Sequence, residues 1–235
     1  MGTLLRDDTV PASVADALPD ESSEWPLPRR TSAFLARLVV AGERRRALEF
    51  GAGSSSIMIA RALADLGGGM LTSLESQPEW CAERWKEVER FHSVDARLVA
   101  SAIRLRLYRN GPAYEYEAAP AALAERGPFD LVVVDAPQSW YGRDGALETA
   151  REHLAEGAVI VVDDAGRRGE REAISGWLRS TPGLSLAAYD PTYGRHGIAV
   201  LRFDGNHRVR WSGATLARRA AGVLRNARAR RRLGA

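Results

Sequence analysis

Three carboxylates close two apolar runs: LVVVD ends at Asp135, and AVIVVDD ends at Asp163 and Asp164. Runs of this kind read as parallel strands buried on both faces, so their ends meet at one edge of a sheet. Carboxylates gathered there repel one another unless protons, arginines or a cation compensate. An oxygen-only set suits Mg²⁺, which keeps waters and accepts substrate oxygens. The internal solution is an arginine: Arg143, Arg167 or Arg168 pairs with the acids, with DDAGRRGERE folding back to carry Arg167 to Asp163 or Asp164. The sequence leaves both open.

A second constellation lies in ALEFGAGSSSIMIARAL. A short strand ends at Glu49-Phe50, Gly51-Ala52-Gly53 makes the turn, and a helix opens at Ser54–Ser56. Glycines let the backbone turn tightly and approach a ligand closely, and a helix N-terminus offers unpaired N–H groups. Glu49, just before the turn, would repel a pyrophosphate but welcome an ammonium group. In LTSLESQPEW, Glu75 ends the next strand, 24 residues after Gly51. An acid at about that distance accepts hydrogen bonds from ribose hydroxyls in doubly wound nucleotide folds.

Strands are expected at 47–50, 70–74, 97–100, 131–134, 159–162, 184–189 and 198–203. Helices are expected at 31–40 (capped by Thr31 or Ser32), 55–66, 78–91, 120–125, 145–154 and 170–180. This alternation argues for a doubly wound α/β domain with a mostly parallel, seven-stranded sheet and an antiparallel C-terminal strand. RLRLYRNGPAYEYEA alternates on both sides of Asn110-Gly111 and reads as an inserted hairpin. The expected organisation is a Pro-punctuated lead-in over 1–30, the domain over 31–204, and a basic, partly helical extension over 205–235.

The 235 residues suit one domain, and the single cysteine, Cys81, excludes a disulfide framework and a Cys-based zinc cluster. No apolar run approaches the roughly 20 residues of a membrane helix, and the N-terminus has no secretory core. The cytoplasm is the expected location. The net charge is +3, yet nine arginines and no acid lie after Asp204, which leaves −6 on residues 1–204. In the helix expected at 214–228, Leu216, Ala220, Val223, Leu224 and Ala227 line one side. Arg218, Arg219, Arg225 and Arg228 line the other. Such a helix either docks on the domain or meets an anionic surface, RNA or an acidic partner.

Glu49, Gly51, Gly53 and Glu75 together resemble the class I S-adenosylmethionine-dependent methyltransferases, over most of residues 31–203. The resemblance implies a Rossmann-like methyltransferase fold and a fixed cofactor placement. The methionine part would lie over Gly51, Ala52, Gly53, Ser54 and Ser55 near Glu49. Glu75, with Ser76 beside it, would hold the ribose, Ser101 would meet the adenine, and Asp135 would border the cofactor. Asp135, Asp163 and Asp164 resemble the Mg²⁺ ligands of metal-dependent O-methyltransferases of the catechol and macrolide-tailoring types. There the metal holds a substrate hydroxyl and lowers its pKa.

Some of those enzymes carry a Lys or His base shortly after the strand-four acid, where this chain has Ser139. The base expected here is Asp135 itself or His196. The implied activity is methyl transfer to a hydroxyl of a small molecule. Two alternatives stand beside it: an RNA or protein methyltransferase using the basic tail, and a nicotinamide- or nucleotide-binding Rossmann protein. Against the latter, Ser56 occupies the third glycine position of the dinucleotide pattern. Trp140, Tyr141, Arg143, Tyr193 and Arg195 fall in loops where substrate contacts or ordinary packing are both expected. Homo-oligomerisation is compatible with the sequence and not legible in it.

Overall fold

In the computed structural model, the two unbroken apolar runs are neighbouring central strands. The structure describes residues 27–138 and 140–233 and, before them, Leu5, Thr9, Pro11, Val14 and Ala15. Most of the expected lead-in, and Ser139, lie outside the described residues. In chain order the elements are helix α1 (Arg29–Ala41), strand β1 (Arg46–Phe50), α2 (Ser54–Asp65), β2 (Gly69–Glu75), α3 (Pro78–Val88), β3 (Val94–Ala100), β4 (Ile103–Tyr108) and β5 (Gly111–Tyr116). They continue with α4 (Ala119–Arg126), β6 (Phe129–Val134), α5 (Asp144–Ala150), β7 (Leu154–Asp163), α6 (Arg168–Ser180), β8 (Leu184–Asp190), β9 (Ile198–Phe203) and α7 (Gly213–Leu233).

Seven strands form one sheet in the order β3-β2-β1-β6-β7-β9-β8, with only β9 antiparallel to its neighbours. Alternate residues of β6 and β7 feed two cores. Val132, Val134, Ile160 and Val162 pack with Leu123, Leu147 and Trp177 on one face. Leu131, Val133, Val159 and Val161 pack with Phe34, Leu35, Ile59 and Leu63 on the other. Burial on both faces explains why these strands carry no polar alternation.

The chain leaves β1 in one direction along the sheet and returns to β6 on its other side. A crevice forms at such a switch point, beyond the carboxyl ends of the strands. Phe50 pairs in register with Val134 and with Leu74, and Val134 pairs with Val162. Residues just past those positions (Gly51, Glu75, Asp135 and Asp163) are therefore placed along one edge.

Four local expectations are corrected. Helix α1 starts at Arg29 behind Pro28, and Thr31 and Ser32 lie buried in its first turn rather than capping it. Proline suits a helix entry because its fixed φ and missing N–H cost nothing there. The helix expected at 145–154 ends at Ala150; a 3₁₀ turn follows, and Leu154 already belongs to β7, paired with Phe129.

The hairpin β4–β5 turns at Arg109-Asn110, with Gly111 opposite Tyr108 as the first residue of β5. Asn110 is fully buried there, donating to Arg210 O at 3.0 Å and accepting from Ser212 N–H at 2.8 Å. The turn register thus serves the chain 100 residues later.

The faces of α7 depart from the expected ones in part: Ala220, Val223 and Ala227 are half-buried and Arg225 and Arg228 exposed as expected, but two arginines turn inward and two leucines outward. Arg219 is buried and pairs with Asp144 and with Glu148 at 2.6 Å, Arg218 pairs with Asp144, and Arg225 reaches Glu172 at 3.5 Å. Leu216 and Leu224 point outward instead. The domain's surplus of acid draws the arginines inward, and their stems supply apolar contact. Among the described residues no helix is long and apolar enough to cross a membrane.

Candidate active site

Gly51 makes the first bend past β1 at φ +95°, in the left-handed region, and an added Cβ there would lie 2.7 Å from Ala136 Cβ. Only glycine meets both demands. The strand tips are stitched at this point: Asp135 and Ala136 donate their N–H groups to Phe50 O at 3.0 and 2.8 Å, and Gly51 N–H donates to Leu74 O at 2.8 Å. At Gly53 an added Cβ would meet nothing within 4 Å, so the turn faces open space where α2 begins.

Glu49 lies beneath this turn, fully buried. It accepts hydrogen bonds from the hydroxyls of Ser55, Ser56 (2.5 Å) and Ser73 (2.8 Å). Ser56 Oγ also accepts the Gly53 N–H at 3.0 Å, linking the cage to the glycine turn. Desolvation pushes the Glu49 carboxyl up to about 7; the three hydroxyls oppose that rise, and the charge of Asp135 adds to it.

Glu75, half-buried at the tip of β2, bridges two loops. Its Oε2 accepts Ala52 N–H at 3.1 Å, and its Oε1 accepts the N–H groups of Ser76 and Gln77 at 2.7 and 2.8 Å. Ser54 Oγ accepts Leu27 N–H at 3.2 Å. Ser101 follows β3 as expected, but its hydroxyl closes the base of the hairpin, accepting Ala118 N–H at 2.8 Å.

Two further side chains border the crevice. Gln138 Nε2 donates to Gln77 Oε1 at 2.8 Å, joining the loop after β6 to the loop after β2 across the end of β1. Tyr116 ends β5 buried, with its ring centroid 6.1 Å from that of Phe50. Burial holds its phenol well above the usual range, and the charges of Glu75, Arg143 and Asp135 also act on it. Neither glutamine nor Tyr116 stands out in the sequence, because each acquires its position only when the hairpin and the loops fold onto the sheet.

The acids at the ends of β6 and β7 do gather. One carboxylate oxygen from each of Asp135, Asp163 and Asp164 lies within 4.8 Å of the others. Asp164 adopts a left-handed backbone, φ +57°, which aims its side chain back at the sheet edge. Few residues other than Gly, Asn and Asp accept that conformation, and it recurs at functional sites.

Arg143 lies among these acids with 4% exposure. Its Nη2 donates to Asp135 Oδ1 at 3.2 Å and to Asp164 Oδ2 at 3.0 Å. Its Nη1 donates to Asp163 O at 2.7 Å, and its Nε stands 3.8 Å from Glu170 Oε1. Arg167 adds a second ion pair to Asp164 Oδ2 at 2.7 Å, whereas Arg168 turns away to Glu172. Burial, and then the charges of Asp135 and Asp164, push the Asp163 carboxyl up to about 8. Burial likewise raises Asp135, against the pull of Arg143.

Of the two ways to offset the acids, the internal one is in place. A Mg²⁺ at these acids would compete with the Arg143 guanidinium, which holds one carboxylate oxygen of Asp135 and one of Asp164. His196, the other expected base, is exposed, and its main-chain oxygen accepts Gly166 N–H at 2.6 Å. Glu170 also lines a cleft bounded by the hairpin, the loop before α5 and α7, with Tyr114, Tyr141, Val223 and Asn226 in its walls. The rings of Tyr114 and Tyr141 meet edge to face at 5.3 Å.

The comparisons with known proteins agree with this geometry. A family described as a methyltransferase domain matches residues 48–165, the stretch from β1 to just past the acid pair. No curated protein sequence matches the chain. Among solved structures, the chain resembles the cofactor-bound protein Rv0187 from MTB, with 25% identity, TM-score 0.56, and coverage of 81% of this chain and 86% of that one.

It also shares the fold of the O-methyltransferase TomG from Streptomyces achromogenes, solved with SAM (20% identity, TM-score 0.54, coverage 84% and 92%). The O-methyltransferase from Bacillus cereus, solved with SAH, matches at 20% identity and TM-score 0.53, over 81% and 86% of the two chains. The chain therefore belongs to the methyltransferase domain family and is a class I S-adenosylmethionine-dependent methyltransferase.

Proposed function

We propose that the protein transfers a methyl group to a hydroxyl of a small molecule. The observation that carries this reading is the convergence of an open glycine turn, the Glu75 carboxylate and the Asp135 carboxylate at the tips of β1, β2 and β6. S-adenosylmethionine, when bound, supplies an electrophilic methyl group on a sulfonium. Residues 51–55 and Glu49 are assigned to its amino-acid end, Glu75 and Ser76 to the ribose, and Ser101 to the side of the base. Ser101 acts there through its backbone, since its hydroxyl is engaged at the hairpin.

Asp135 is assigned two tasks at the edge of this ground: orienting the acceptor hydroxyl and taking its proton as the oxygen attacks. Alignment and exclusion of water supply most of the rate in such a displacement. Burial raises the affinity of Asp135 for a proton, which suits a base that must accept one. His196 is the second assignment, for a longer acceptor that reaches the last loop.

A hydroxyl acceptor is supported by the fold shared with two O-methyltransferases. Against a nucleic-acid acceptor, Arg218 and Arg219 of the tail are committed to Asp144 and Glu148 of the domain. Isothermal titration of S-adenosylhomocysteine, run with Mg²⁺ and with EDTA, tests the cofactor assignment. Micromolar binding in both conditions is expected, and no binding by folded protein overturns the reading.

A further inference from the structure

We infer that the Arg143 guanidinium is the resident cation of the acid cluster, paired with the Asp135 and Asp164 carboxylates that a divalent metal would also draw on. The inference deepens the proposed function only in saying how the acceptor side is organised. The argument for the cation itself stands on the side chains alone.

Three carboxylates with oxygens within 4.8 Å of one another need protons or positive charge to offset their repulsion. That charge can be drawn from solution or carried by the chain. Arg143 carries it, and its contacts go beyond charge. One terminal nitrogen joins Asp135 to Asp164, and the other donates to the main-chain oxygens of Asp163 (2.7 Å) and Val134 (3.5 Å). The guanidinium therefore ties the tip of β6 to the tip of β7, the two strands whose acids it neutralises. A planar fork with fixed N–H directions can make this set of contacts, whereas a lysine ammonium cannot reproduce it.

The group is also held from behind. Arg143 immediately precedes α5, whose first residue, Asp144, is clamped by Arg218 at 3.1 Å and by Arg219 at 3.2 Å. The Asp144 main-chain oxygen accepts Trp177 Nε1–H at 3.0 Å. An arginine on a loose surface loop could swing aside to admit a metal; this one is anchored on both sides. A Mg²⁺ drawing on the facing oxygens of Asp135 and Asp164 would have to expel a buried guanidinium, or sit beside it as a second cation in a poorly screened site.

Two further claims follow: the native protein has no tight divalent-metal site, and removing the Arg143 charge creates one. Mn²⁺ is the probe, with binding followed by electron paramagnetic resonance at neutral pH and by the shift in Tm. Wild-type protein is expected to show no stoichiometric site and no shift. Arg143→Met is expected to bind one Mn²⁺ per chain, roughly tenfold tighter or more than wild type, with a Tm that rises on adding the metal. Combining it with Asp163→Asn should abolish that site.

Micromolar binding of one Mn²⁺ by wild type, lost in Asp163→Asn, would overturn the inference. So would an Arg143→Met protein that folds and gains no site. If Arg143→Met does not fold, wild type and Asp163→Asn still decide the matter. S-adenosylhomocysteine binding, measured on the same wild-type sample, reports the methyltransferase reading separately.

Discussion

The Glu49 cage and the Arg143 cluster both bury acids beside the same strand tips, and they offset the burial by different means. Glu49 is surrounded by three neutral hydroxyls. The triad is surrounded by formal charge, from Arg143 and Arg167. Hydroxyls can satisfy the lone pairs of a carboxylate without cancelling its charge, so desolvation still dominates at Glu49 and its carboxyl rises to about 7. Arginines cancel charge but leave a surplus when three acids share two of them, and Asp163 carries that surplus. Both sites therefore carry a carboxyl that responds to pH, and the arginine cluster is in addition sensitive to the removal of its cation.

The largest expected effect is the loss of the arginine. Arg143→Met leaves buried carboxylates without their partner, and breaking such a pair costs about 3–5 kcal/mol. Urea unfolding at neutral pH should show that loss, and acidification should reduce it as the carboxylates take up protons. A variant as stable as wild type would show that water, rather than Arg143, balances the cluster.

Next is the pH dependence of the Glu49 cage. Its ordinary value is 4.5 and its folded value about 7, so folding raises its affinity for a proton. The associated stability is complete below 4.5 and is lost as pH rises to about 7, an effect of about 3 kcal/mol. Glu49→Gln cannot ionise and lacks that loss. The stability of the variant relative to wild type should therefore climb across this window in paired urea titrations. A constant difference would mean that the serines hold Glu49 ionised throughout.

Glu75→Gln tests the cofactor side. It removes a charged acceptor while keeping the shape, and hydrogen bonds to charged groups contribute about 1.5–3 kcal/mol. S-adenosylhomocysteine affinity should fall roughly tenfold to a hundredfold by calorimetry. An unchanged affinity would show that Glu75 only braces the Ala52 and Gln77 backbone. The smallest effect belongs to Arg168→Ala, next in sequence to Arg167 but 77% exposed. Its urea midpoint should match wild type within error, and a clear loss would show that exposure is a poor guide to these arginines.

Much of the fold was legible because its signals are local. The apolar runs of β6 and β7, the glycine turn after β1 and the acid at the tip of β2 each depend on a few consecutive residues. What escaped depended on distant partners. Asn110-Gly111 is a good turn pair by itself, yet the turn lies one residue earlier because Asn110 serves Arg210 and Ser212. The helical spacing of the tail was correct, but which arginines turn inward was set by Asp144 and Glu148. Arg143 was one of three arginines that could have met the acids.

The sequence by itself determined that a doubly wound sheet would bring a glycine turn and several acids to one edge, because strand burial and turn chemistry are short-range properties. Only the tertiary structure decided how those acids are neutralised. That outcome depends on which guanidinium packing holds rigidly within 3.2 Å of both Asp135 and Asp164, a distance that no spacing along the chain encodes.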